Sequence, residues 1–149
     1  MIRAADDLSL HVRHGAWLGT VPDRADSDTP RVKAKTRAGQ IKDAAGDDDF
    51  DPEMPDPGAA AYLLAHLWSI GPTMGDAAIS DVDLRHYQEN MGIVLSPWEC
   101  RTIRRLSVDC LSESHKASKP DCPPPFSEST DAARLRNAEH EREIDAFLS

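Results

Sequence analysis

Any chemistry in this chain would draw on three cysteines, Cys100, Cys110 and Cys122, and on six histidines. Cys100, Cys110, His115 and Cys122 are residue types that hold zinc. Structural zinc sites bring their ligands in close pairs, about two to four residues apart, and no such pair occurs here. Cys100 and Cys110 also fall on the apolar stripe of a helix, where a free cysteine behaves as a small hydrophobe. A thiol nucleophile would need His86 or His115 as its base, and no glycine-rich elbow or phosphate loop accompanies them. Asp47-Asp48-Asp49-Phe50-Asp51 lacks the spacing, central glycine and closing glutamate of a calcium loop. His66, inside an apolar helix, reads as a core-edge residue with a backbone or water partner rather than a ligand. The expectation is a protein without catalytic residue, metal or cofactor.

What remains is binding, and helices must position it. Gly92-Ile-Val-Leu-Ser96-Pro97-Trp98-Glu99 spells a helix start. Ser96 can cap, Pro97 takes the first helical position, and Glu99 can close a capping box. From there a helix is expected to about Lys119, with Cys100, Ile103, Leu106, Cys110 and Leu111 on one face. Arg101, Arg105, Asp109 and Ser112 share another. A helix before it starts at Ser80 with Asp83 three residues on, carries Leu84, Tyr87 and Met91, and stops at Gly92. An earlier one, Gly58–Ile70, is apolar nearly all round, so neighbours or a partner must cover it. Gly71-Pro72 ends it. No β pattern rises above the background.

The expected architecture is all-α, a small three-helix domain over 58–119 with flexible N- and C-terminal segments. Residues 1–30 are poorly patterned and read as weakly ordered, with a short helix around Leu8–His14 as the alternative. Thr29-Pro30 suggests a solvated helix over 30–45 ending at Gly46. Asp43 to Asp56 holds seven carboxylates, no Lys or Arg, and Pro52 and Pro55 with Pro57 just after, the pattern of an extended, self-repelling linker. Residues 120–149 form a proline-rich exit and a charged tail.

Over 149 residues the formal charge is −9. That sign argues against a general nucleic-acid or anionic-membrane surface. No apolar run is long enough to span a bilayer, and free thiols suit a reducing cytoplasm. The two helices joined through Gly92 imitate a DNA-binding helix-turn-helix, which is the alternative reading. Gln88 stands where a small residue is wanted at the helix crossing, and Arg101 where an apolar one is wanted.

The order Tyr62-Leu63-Leu64-Ala65-His66-Leu67-Trp68, Ile79-Ser80-Asp81-Val82-Asp83-Leu84, Gly92-Ile93-Val94-Leu95-Ser96-Pro97-Trp98-Glu99 and Ile103 to Leu111 resembles the tail assembly chaperones of long-tailed bacteriophages and prophages. The likeness covers about residues 50–126, and Pro-Trp-Glu is its most specific part. It implies a non-enzymatic role in the host cytoplasm, absent from the mature virion. The implied partners are the tape measure protein and the major tail tube protein. A homo-oligomer is compatible. A chaperone for a long apolar helix needs an apolar groove that accepts anchors spaced i, i+3, i+4. The partner-contacting residues expected are Tyr62, Leu67, Trp68, Tyr87, Trp98, Arg101 and Arg105, with Trp68, Tyr87 and Trp98 lining that groove.

Overall fold

The computed structural model describes residues 2–23, 34–47, 49, 51–126 and 146–148. These residues form an all-α protein with no strand; one isolated bridge joins Met74 and Ala77. Five helices follow in order: α1 (Ile2–Gly19), α2 (Arg37–Ala45), α3 (Tyr62–Ile70), α4 (Asp81–Met91) and α5 (Pro97–Ala117). Residues 146–148 add a single helical turn.

The capping chemistry fixes α4 and α5 as the sequence suggests. Ser80 Oγ accepts from the Asp83 N–H, and Asp83 returns a carboxylate to the Ser80 N–H at 2.8 Å. Ser96 and Glu99 make the same reciprocal box. Both carboxyls are held below their usual range, chiefly by the capped serine N–H. Gly92 ends α4 in the left-handed region at φ 64°, a conformation glycine adopts without steric cost.

The expectation of weak order at the N-terminus is corrected over the described residues 2–23. There α1 is an 18-residue helix, and Leu8 and Val12 belong to the same core as Leu63, Leu67, Leu84, Ile103 and Leu106. The core therefore crosses the expected boundary at 57/58. Ala5, Leu8, Ser9, Val12 and Ala16 recur at helical spacing and supply the buried stripe. The helix expected over 30–45 starts at Arg37, capped by Thr36, and does end at Gly46; Thr29 and Pro30 lie outside the described residues, as do 127–145. The acidic segment is not wholly a solvated linker. Pro55 is buried and its carbonyl accepts from His11 Nδ1 at 2.7 Å. Helix α3 begins four residues later than expected, after a turn at 59–61.

The largest interface joins α1 to α5. Asp6 meets Arg105 at 2.8 Å, Ser9 donates to Asp109 at 2.6 Å, and Arg13 meets Glu113 at 3.5 Å. Both series climb together, so the two helices run parallel. The exposed Asp6–Arg105 pair is worth about 0–1 kcal/mol, Ser9 and Glu113 are buried ends of the other two contacts, and burying Leu8 or Val12 is worth about 1.5–3 kcal/mol. The apolar stripe stabilises the seam and the polar ladder sets its register.

Parallel packing brings two negative helix ends together. Arg37 lies between them, 5% exposed. Its guanidinium donates to the Lys119 carbonyl at 2.8 Å and the Trp17 carbonyl at 3.5 Å, and stacks on the Trp17 ring at 4.8 Å. One cation thus caps two C-termini. A second clamp is Ser107, fully buried on α5. It accepts from the Ile79 N–H and donates to the Pro72 carbonyl, both at 2.8 Å. It ties the α3–α4 connection to α5.

Arg37→Met should lower stability by about 2–3 kcal/mol in urea unfolding, and Arg37→Lys should recover less than half, because an ammonium cannot fork between two carbonyls. Ser107→Ala should cost about 1–3 kcal/mol by orphaning two backbone groups, while Ser112→Ala on the exposed face should stay within about 0.5 kcal/mol.

Candidate partner-binding faces

Helix α3 buries Leu63 and Leu67 completely and leaves large side chains on both flanks. On one flank, Tyr62 hydrogen-bonds Glu99 at the start of α5, and that carboxylate pushes the phenol pKa up. One turn on, His66 Nδ1 lies 2.9 Å from the Tyr87 hydroxyl, with the rings edge-on at 5.9 Å. Trp98, Tyr87 and Ile93 are partly buried against the core. The face is thus aromatic, roofed by two polar bonds and rooted on three helices.

Trp68 is elsewhere. At about 100° per residue it sits roughly 200° around α3 from His66, on the far side of the Leu63–Leu67 stripe, and it is 52% exposed. The single groove expected from Trp68, Tyr87 and Trp98 is therefore corrected to two separate faces. Leu67 is corrected as well: it is fully buried and offers a partner no surface. Tyr62 is 53% exposed, and Arg101 is exposed at the start of α5. Arg105 is engaged with Asp6 and Asp109.

The α4–α5 pair also bears on the helix-turn-helix alternative. Arg104 meets Asp81 at 3.2 Å, so two of the three arginines on the exposed side of α5 have carboxylates beside them. Gln88, read from sequence as a misfit, braces the turn. Its Oε1 accepts from the Leu95 N–H at 2.8 Å and its Nε2 donates to the Leu84 carbonyl at 3.2 Å.

Burial pushes the Cys110 thiol up. Burial, with Asp81 and Glu99 nearby, does the same at Cys100. Both are held as thiols, the unreactive form. Among the described residues no cluster of three or more His, Cys, Asp or Glu is placed to hold a metal ion. No described helix is long and apolar enough to cross a membrane.

Sequence reasoning missed the other end of the molecule. Two cavities, of about 490 and 270 Å³, flank Trp17 and Ile41 between α1 and α2. His14 lines the smaller one. It is 4% exposed, stacks on Trp17 at 5.8 Å and meets Phe126 edge-on at 5.4 Å. Its Nδ1 and the Glu113 Oε2 are both buried without a hydrogen-bond partner. The available signal was Trp17-Leu18 lying a helical turn beyond His14.

No family model, curated protein or solved structure matches this chain.

Burial lowers the His14 pKa from its ordinary 6.5; neighbouring His11 acts the same way, against the backbone of Glu53 and the charge of Glu113. The folded state then binds fewer protons than the unfolded one below pH 6.5. His14 contributes stability fully above that value, and loses it as pH falls toward the depressed folded pKa. Urea midpoints measured from pH 7.5 down to 5 should fall more steeply in wild type than in His14→Phe, which keeps the ring contacts.

Proposed function

We propose that this chain is a non-enzymatic tail assembly chaperone of a long-tailed phage or prophage. It would bind the tape measure protein in the host cytoplasm, help recruit tail tube subunits, and be absent from the finished particle. The observation that carries this reading is α3. Its nine residues bury Leu63 and Leu67 yet leave Tyr62 and Trp68 about half exposed, one on each flank. Half-exposed Tyr and Trp are candidate anchors because aromatic residues dominate binding hot spots.

The Tyr62–Tyr87–Trp98 flank is the better partner surface, because three helices hold it rigid before any partner arrives. A helical client would lay apolar anchors on it. The charge of −9 would keep the complex dispersed. The resemblance over residues 50–126 supplies the identity of the client, and the exposed aromatics support a binding role.

Co-expression with the tape measure protein from the same gene neighbourhood tests this. Tyr62→Ala with Trp98→Ala should cut the soluble client at least tenfold while α5 stays folded by circular dichroism. Trp68→Ala should show whether the second flank contributes. Client that remains as soluble with all three changed as with wild type rules the reading out.

A further inference from the structure

Residues 51–58 form no helix or strand and run along α1 in the opposite direction. Pro52 lines the smaller cavity with His14 and Leu18. The Glu53 backbone accepts a hydrogen bond from the His14 ring, and the Pro55 carbonyl accepts from His11 Nδ1 at 2.7 Å. Gly58 closes the run, where a Cβ would stand 2.8 Å from Asp7 Oδ2. Positions 7, 11, 14 and 18 make one stripe of a helix. The lengths agree as well. From Leu18 back to Asp7 a helix rises about 17 Å, and extended chain from Pro52 to Gly58 covers about 19 Å.

Two histidines hold this strap. Among the described residues no backbone–backbone hydrogen bond joins 51–57 to another element, and Asp51, Glu53 and Met54 are exposed. The two histidine bonds respond differently to a proton. A carbonyl only accepts, so His11 Nδ1 carries a hydrogen in the neutral ring and in the imidazolium alike. His14 Nδ1 has no partner, so the bond to Glu53 falls to its other nitrogen. A proton on that Nδ1 creates a buried charge and a buried unpaired donor beside Trp17 and Phe126. The charged groups around the ring do not offset this cost. Glu113 on α5 is already met by Arg13 at 3.5 Å, and the Glu53 side chain on the strap is exposed, where water screens it. His11, one turn back on α1, repels a second cation, and Arg37 from α2 lies over the Trp17 ring on which His14 stacks.

We propose that residues 51–54 are an acid-released strap: a proton on His14 frees them from α1, Pro55 on His11 serves as the hinge, and the smaller cavity loses its Pro52–Glu53 wall. Above pH 6.5 the neutral ring keeps the strap down. In the open form His14 meets water and regains its ordinary affinity for protons, so opening gains population as pH falls below that value. The α3 flanks take no part, so this inference stands apart from the client-binding reading.

The test is a titration of the full chain carrying ¹³C-methyl methionine, from about pH 7.5 to about pH 5. Met54 is the reporter, since its methyl lies 3.6 Å from the point a Gly15 Cβ would occupy. Its signal should move to the position of a free methionine with a midpoint below pH 6.5, while Met74 and Met91 stay in place. His14→Phe keeps the ring contacts and His14→Gln keeps a polar side chain, and neither takes a proton. In both, the Met54 signal should stay docked across the range. A Met54 signal that does not move in wild type overturns the proposal, whatever the variants do. Met54 moving only together with Met74 and Met91 also overturns it, because the whole domain would then be unfolding. So does a folded His14→Phe or His14→Gln chain whose Met54 titrates as in wild type.

Discussion

Two helices lying parallel place like ends of their dipoles side by side, and this arrangement governs the molecule. α1 and α5 share the longest seam, and their C-terminal carbonyls converge near Trp17 and Lys119. Backbone carbonyls that end a helix need donors. Arg37 supplies them from α2, so a helix that buries little else is pinned to the fold by one side chain. The Asp23 N–H adds a further bond to the Ser118 carbonyl at 2.7 Å. The exit segment after α5 is held to the same end by the Trp17 indole.

From that seam the remaining packing follows. α5 faces α1 on one side and α3 and α4 on the other, which is why its buried residues spread over Thr102, Ile103, Leu106, Ser107, Cys110, Glu113 and Ala117 rather than one narrow stripe. With α5 fixed, Ser107 places the α3–α4 connection, and Gln88 with the Ser96 box places the α4–α5 turn. The flank of α3 carrying Tyr62 and His66 is then set against Glu99 and Tyr87. The aromatic flank proposed to meet a partner is therefore built on helices that share a core with α1.

The helix starts and stops were legible where they are local. Ser80–Asp83, Ser96–Glu99, Gly46, Gly71 and Gly92 act within a few residues, and each ends or starts a helix where its chemistry says it should. α1 was harder to read because its stripe uses Ala5, Ser9 and Ala16 beside Leu8 and Val12. Small residues bury well against a close neighbour and look weak on a hydropathy count. Arg37 was illegible for another reason: its partners are carbonyls of residues 17 and 119, and only the parallel seam brings those together. The candidate surface was half legible. Tyr62, Tyr87 and Trp98 could be named from type, but the angle around α3 that separates Trp68 from Tyr87 depends on which stripe is buried. The buried Leu63–Leu67 stripe set that angle and removed Leu67 from the surface.

Residues 2–19 form a structural wall of one folded unit rather than an appendage. Native-state amide hydrogen exchange on the full chain measures this directly. The amides of Leu8 and Val12 should exchange only with the global opening that also releases Leu106, with the same protection free energy. Protection at Leu106 together with exchange of Leu8 and Val12 at the rate of an unstructured peptide would instead make α1 an appendage.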